Sequence, residues 1–248
     1  MTFPGAARRL LALAALSLLL VWSSACRALV PRHYEYDEQI DLSLDGSASI
    51  FINGSVPAIV ALRGIPLDPS PSGVVEREAV RRFYESNGVT LAQMSTSRRD
   101  GRRFIHLRLK VADVRKLHET SAFAWETFGL SKTGDEDVYK QTVGAPTGRD
   151  VGNVGWGGSE LVAFRLHLPA RIRYHNAPSR RVERGNILEW EQSLADRLKG
   201  QPILIEARMD QQSILYSTLL LFGSMAALVA LTFAAILWWV MKRPVKPI

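Results

Sequence analysis

The sequence predicts an α+β fold, in which a largely antiparallel sheet of hairpins with two helices is followed by one C-terminal transmembrane helix. Runs of alternating apolar and polar residues are paired around glycine-containing turns, which is typical of β-hairpins. Two short stretches between the hairpins place apolar residues at helical spacing. Near the C-terminus, residues 214–241 contain no charge, and about 20 apolar residues suffice to cross a bilayer as a helix.

The first two thirds of the chain should form three hairpins separated by helices. The paired runs are residues 34–44 with 47–55, 89–97 with 103–111, and 123–131 with 138–143. Residues 76–86 and 112–120 place apolar side chains on one face and therefore predict the two helices. Residues 56–71 are rich in proline, which predicts a loop with a short turn of helix.

The last third of the chain predicts further strands that lead to the membrane. Residues 144–158 form a glycine-rich connector, after which three segments have the pattern of strands. These segments are residues 161–168, 187–191 and 203–209. Because few residues separate the last strand from the apolar run, the sheet should lie close to the bilayer.

The N-terminus predicts an export signal over residues 1–26. Arg8 and Arg9 precede a short apolar stretch, and small residues follow it up to Cys26. Cys26 stands where a bacterial lipobox places its lipidated residue, so we predict lipidation there. Cleavage after a small residue, or an uncleaved anchor, is the alternative. Because Cys26 is the only cysteine, no internal disulfide can form.

Charges beside the apolar run predict a single-pass protein of the cytoplasmic membrane. Lys242, Arg243 and Lys246 follow the run, and basic residues next to a span favour the cytoplasmic side. The predicted segments are an extracytoplasmic α+β domain at 27–212, a transmembrane helix at 213–241 and a cytoplasmic tail at 242–248.

The formal net charge of +7 is explained by membrane topology rather than by nucleic-acid binding. The chain has 31 basic and 24 acidic residues, and five of the basic ones flank the two apolar segments. Without these five, 26 basic residues stand against 24 acidic ones, which is an ordinary mixed surface. We therefore predict membrane lipids and a membrane-protein partner, and no nucleic acid.

The sequence contains no motif that predicts a catalytic residue, a metal site or a cofactor. The five histidines lack the tight spacing of zinc ligands, and the acidic clusters at 35–41 and 135–137 follow no calcium-loop pattern. The glycine-rich segment 152–158 lacks the Lys-Ser/Thr of a phosphate-binding loop and leads into a strand. Trp156 in that segment is either an exposed contact for a ligand or a lid over the core.

A basic cluster late in the chain is the candidate headgroup-binding site. It consists of Arg171, Arg173, Arg180, Arg181 and Arg184. If residues 187–191 pair antiparallel with residues 203–209, these arginines lie at the membrane end of the sheet. A cation close to anionic headgroups contributes about 1 kcal/mol there. The alternative is a solvated loop whose charges have no specific function.

Three late segments resemble the bacterial LppM-type lipoprotein family. They are the alternating strand 161–168 closed by Pro169, the segment Gly185-Asn186-Ile187-Leu188-Glu189-Trp190, and the strand 203–209 that runs into a membrane helix. The resemblance covers the last third of the chain. It implies an α+β envelope domain that binds lipid or lipoglycan, and it supplies no catalytic residues.

These observations favour a membrane-anchored bacterial envelope protein whose outer domain binds a lipid, glycan or protein partner without catalysis. One alternative is an accessory subunit of a membrane complex, in which small residues of the span allow close helix approach. These residues are Ser217, Gly223, Ala226, Ala227 and Ala230. The other alternative is an envelope hydrolase that uses scattered carboxylates or histidines.

Overall fold

Within residues 32–242, which this computed structural model describes, the chain forms ten strands, four helices and two 3-10 turns. The strands are β1 Tyr34–Leu42, β2 Ala48–Ser55, β3 Val89–Arg99, β4 Arg102–Val111, β5 Glu126–Thr133, β6 Glu136–Val143, β7 Leu161–His167, β8 Ala170–His175, β9 Ile187–Ser193 and β10 Ile203–Ser213. The helices are α1 Val56–Arg63, α2 Arg77–Tyr84, α3 Leu194–Leu198 and α4 Ile214–Met241, and the 3-10 turns are Val114–Glu119 and Ser121–Phe123. The predicted α+β class is confirmed.

Six strands form the first sheet, sheet A, in the order β3-β4-β2-β1-β7-β9. Its hairpins β1–β2 and β3–β4 are the first two hairpins that the sequence predicts. The turns contain Gly46 and Gly101 with φ of 92° and 73°, values that glycine adopts without strain. All neighbouring strands are antiparallel except β1 and β7, which run parallel.

Four strands form the second sheet, sheet B, in the order β5-β6-β10-β8. The hairpin β5–β6 is the third predicted hairpin, and β10 pairs antiparallel with both β6 and β8. The two sheets share one core, to which Ile50 and Ile52 of sheet A and Tyr139 and Ala207 of sheet B contribute. The strands expected in a single sheet therefore divide between two sheets, both rich in antiparallel pairs.

Helix α1 lies where the sequence predicts mainly loop. All eight of its residues are buried, so its apolar side chains surround the helix and leave no amphipathic pattern to recognise. The helix begins where the Ser55 hydroxyl accepts a 3.2 Å hydrogen bond from Ala58 N, and it ends at Gly64, whose φ is 75°. This helix brings Arg63 into the interior of the domain.

Two further elements differ from the prediction. Residues 112–120 contain a 3-10 turn rather than an α-helix, with Val114 and Leu117 buried as expected. Between the predicted strands 161–168 and 187–191, the structure contains the additional strand β8. Pro169 therefore separates β7 from a second strand rather than from a loop. Helix α2 is confirmed, and it buries Val80 and Tyr84.

Helix α4 has the length and composition of a membrane span. Among residues 32–242 it is the one helix long and apolar enough to cross a bilayer, with a mean hydropathy of 2.3 in an 18-residue window. Its 28 residues span about 42 Å, more than the hydrocarbon thickness of about 30 Å. The Ser213 hydroxyl caps it by accepting a 3.0 Å bond from Tyr216 N, so β10 enters the helix without a linker. This fits a single-pass membrane protein.

Candidate functional site

A groove of about 620 Å³ opens where sheet B meets the membrane helix. We call it the junction groove, and it is lined by Asp135, Arg171, Arg173, Asp210, Gln211, Gln212, Ile214, Ser217, Thr218 and Leu221. Two contacts hold β8 beside the start of α4. Ala170 pairs with Ser213, and Ile214 N donates a 3.0 Å hydrogen bond to Pro169 O. The groove therefore belongs to the part of the domain that adjoins the span.

The sheet side of the junction groove is charged. Arg173 donates from Nε to Asp210 Oδ1, and this bond raises the pKa of Arg173 above its usual value. Arg171 is exposed, lies two residues earlier in β8 and lines the same groove. Its guanidinium has no hydrogen-bond or ion-pair partner in the part of the chain that the structure describes. Arg171 is thus available to an anionic ligand.

The helix side of the junction groove is apolar with two hydroxyls. Ile214, Ser217, Thr218 and Leu221 recur at a spacing of three and four residues, which places them on one face of α4. Both hydroxyls donate to backbone carbonyls one turn earlier, at 3.3 and 2.7 Å. The oxygens of these two hydroxyls can therefore accept hydrogen bonds from a ligand. Along the direction of the span, the lining of the groove changes from charged to apolar.

The structure brings two of the five predicted arginines to the groove. Arg171 and Arg173 line it, whereas Arg180, Arg181 and Arg184 lie in the loop between β8 and β9 and are not part of its walls. The strand pairing assumed from the sequence is wrong, since β9 pairs antiparallel with β7 while β10 pairs with β6 and β8. The two arginines reach the helix on β8 instead. The predicted lipidation residue, Cys26, falls outside the described residues.

A second polar site lies inside the domain around the guanidinium of Arg63. Its Nε donates to the Tyr36 hydroxyl at 2.7 Å, and its Nη1 donates to the carbonyl oxygen of Ala122. Its Nη2 forms ion pairs with Glu38 and, at 3.1 Å, with Glu126. None of these three charged side chains is more than 1% exposed. Two carboxylates therefore share one guanidinium in a dehydrated interior.

Burial sets the protonation of Glu126 in this cluster. Desolvation, together with the nearby charge of Glu38, raises the pKa of Glu126 to about 8, while Arg63 and a hydrogen bond from Gln141 oppose the rise. Glu126 is therefore mainly protonated at neutral pH, and its 3.1 Å contact with Arg63 is then a hydrogen bond. Since Gln141 lies in β6 and Glu38 in β1, the cluster joins the two sheets.

This buried cluster was not predicted from the sequence, although one signal for it exists. Tyr36, Glu38, Ile40 and Leu42 alternate along β1, and all four point into the core. An acidic residue within an apolar alternation requires a buried partner. Arg63 gives no comparable signal, because its proline-rich segment has the sequence pattern of a loop.

The other candidate residues make local contacts. His167 Nδ1 lies 3.4 Å from Asp41 Oδ1. Trp156 packs against the core, and its Nε1 donates a 3.3 Å hydrogen bond to Glu35, which agrees with a lid rather than an exposed contact. Over the range 32–242, His, Cys, Asp and Glu side chains form no group of three that could hold a metal ion.

Comparisons with known proteins find a distant structural neighbour. No family model and no curated protein matches the chain. Among solved structures, the NMR structure of the folded domain of LppM from Mycobacterium tuberculosis matches with 14% identity and a TM-score of 0.40. The match covers 74% of this chain and 94% of that one. A TM-score of this size shows neither a shared family nor a shared function.

Proposed function

We propose that this chain is a single-pass bacterial envelope protein whose outer domain binds the headgroup of an anionic membrane lipid in the junction groove. The observation that supports this proposal is the unpartnered guanidinium of Arg171 in a groove whose other wall is the start of the span. Basic residues after α4 favour a cytoplasmic C-terminus and hence an extracytoplasmic domain. The groove then lies at the outer surface of the cytoplasmic membrane.

Each part of the groove suits one part of a lipid. Arg171 binds the phosphate through charge-assisted hydrogen bonds, and Arg173, held in place by Asp210, lines the same groove. The carboxylate of Asp135 accepts hydrogen bonds from headgroup hydroxyls. The acyl chain lies along Leu221, one to two turns into the span. Lipidation of Cys26 is a separate prediction, which the intact mass of the mature chain tests.

Native mass spectrometry of the detergent-solubilised full chain tests the binding. Wild-type protein should retain phosphatidylglycerol in preference to phosphatidylcholine. Arg171→Ala should weaken retention about fivefold, because a contribution of about 1 kcal/mol per cation corresponds to roughly that factor in Kd. Arg181→Ala is the matched control, since Arg181 belongs to the same basic cluster but does not line the groove.

Two outcomes would refute lipid binding in the groove. One is equal retention of both lipids, and the other is unchanged retention after Arg171→Ala. Co-purification of a stoichiometric membrane protein without bound lipid would instead favour the accessory-subunit alternative, in which α4 is the interface.

A further inference from the structure

A chain of hydrogen bonds crosses the outer face of sheet A and ends at a serine. Ser97 Oγ in β3 lies 2.8 Å from His106 Nε2 in β4, and His106 Nδ1 lies 2.9 Å from Asn53 Oδ1 in β2. Asp37 of β1 stands opposite Asn53 on the neighbouring strand. Asn53 is the register partner of both His106 and Asp37, so three neighbouring strands hold these side chains side by side.

The amide oxygen of Asn53 fixes the direction of the bonds in this chain. Asn53 turns its Oδ1 towards His106 Nδ1. An amide oxygen only accepts hydrogen bonds, so the proton of this bond belongs to the histidine. His106 then donates from Nδ1, which leaves Nε2 to accept the proton of the Ser97 hydroxyl. A histidine in this tautomer can act as a general base towards the serine.

We propose that Ser97 is a nucleophile and His106 its general base, and that together they hydrolyse carboxylic esters. Ser97 Oγ bonds to the carbonyl carbon of the ester while its proton moves to His106 Nε2. The bond between that carbon and the alcohol oxygen breaks, and the alcohol leaves with the proton from His106. Water then attacks the acyl-serine in the same way, releases the carboxylic acid and restores the Ser97 hydroxyl. Water is the only co-reactant.

A cation lies on the same face of β3 as the proposed nucleophile. Arg99 follows Ser97 by two residues in β3 and so lies on the same face. Its guanidinium is 4.2 Å from the centroid of the Phe104 ring, and Phe104 is the register partner of Ser97. Arg99 also donates from Nη2 to the carbonyl oxygen of Tyr34, and its Nε lies 3.9 Å from Asp100 Oδ2. A cation held on this face favours the negative charge that develops on the carbonyl oxygen of an ester. Because Ser97 is exposed on an open face, bulky esters have access to it.

Covalent labelling of the full-length, detergent-solubilised protein with a fluorophosphonate tests the proposal. Mass spectrometry should find the label on Ser97. His106→Ala should slow labelling about 100-fold or more, because a general base contributes about 10²- to 10⁴-fold. Ser95→Ala is the matched control, since Ser95 lies in the same strand directly opposite His106 and should not affect the rate.

A second pair of variants tests the positioning role of Asn53. Asn53→Leu should slow labelling of Ser97, whereas Asn53→Gln, which keeps an amide oxygen for His106, should slow it less. The proposal is overturned if Ser97 is not labelled, or if His106→Ala or heat-unfolded protein is labelled at the wild-type rate. The junction groove is lined by none of these residues, so this result is independent of the lipid-binding test.

Discussion

Replacing Glu126 by glutamine should remove much of the pH dependence of the domain's stability. Burial raises the pKa of Glu126 from 4.5 to about 8, so the folded state keeps a proton that the unfolded chain releases. The stability that this group contributes is fully present below about pH 4.5 and is lost as the pH rises through about 8. The glutamine side chain of the variant stays neutral at every pH, so Glu126→Gln lacks this loss.

The size of the effect follows from the two pKa values of Glu126. Each pKa unit corresponds to about 1.4 kcal/mol, so the interval from 4.5 to about 8 sets an upper limit on the order of 5 kcal/mol. For a domain of this size, 1 kcal/mol shifts the melting temperature by about 2–4 °C. The melting temperature of the wild-type protein should therefore be lower above pH 8 than below pH 4.5, by up to about 10–20 °C.

Thermal unfolding of the full chain in detergent, followed by tryptophan fluorescence over a pH series, measures this loss. Trp125 is buried, and its ring centroid lies 5.0 Å from the Arg63 guanidinium, so its emission reports on the cluster. Glu119→Gln changes an exposed carboxylate and is the control. A wild-type melting temperature that does not change with pH, or a slope in Glu126→Gln equal to that of wild type, would refute the reasoning.

Three other substitutions, one of them with a matched control, test the packing with the same thermal assay. Arg63→Met should cost about 3–5 kcal/mol, because Glu38 loses its buried cation, and a wild-type melting temperature would contradict this. Gly148→Ala should disrupt folding, because the added Cβ would stand 2.1 Å from a carbonyl oxygen of α1. Gly129→Ala is the control and should be tolerated, because its added Cβ meets no atom nearer than 3.9 Å. Asn186→Ala should lower the free energy of unfolding by about 1–3 kcal/mol, because the Asn186 Nδ2 donates two 2.7 Å hydrogen bonds to carbonyls at the β7–β8 corner. An unchanged melting temperature would contradict this prediction.

The hairpins were predictable because their signals are local. Alternation and a turn glycine lie within about 20 residues of each other, and β1–β2, β3–β4 and β5–β6 all form as predicted. The parallel pairing of β1 with β7 joins Tyr36 to Val162 across most of the domain, and no local pattern encodes it. The division into two sheets depends on such distant pairings.

The candidate site was only partly predictable for a related reason. The basic cluster indicates Arg171 and Arg173, but their place beside α4 follows from β8, a strand that the sequence pattern does not predict. The buried cluster requires Arg63, at the end of a helix that is apolar on all sides, to meet Glu38 and Glu126 from two different sheets. Charge patterns in the sequence cannot reveal that meeting, because it exists only after the sheets pack.

Membrane depth is the most direct test of whether the junction groove lies at the bilayer surface. A fluorophore at Arg171→Cys, in a Cys26→Ser background, should be strongly quenched by lipids that carry a nitroxide on the headgroup. The same fluorophore at Leu204→Cys, nine residues before Ser213 and so about 30 Å along β10, should be quenched little. Equal quenching at the two positions, or none at residue 171, would contradict a groove that binds lipid headgroups.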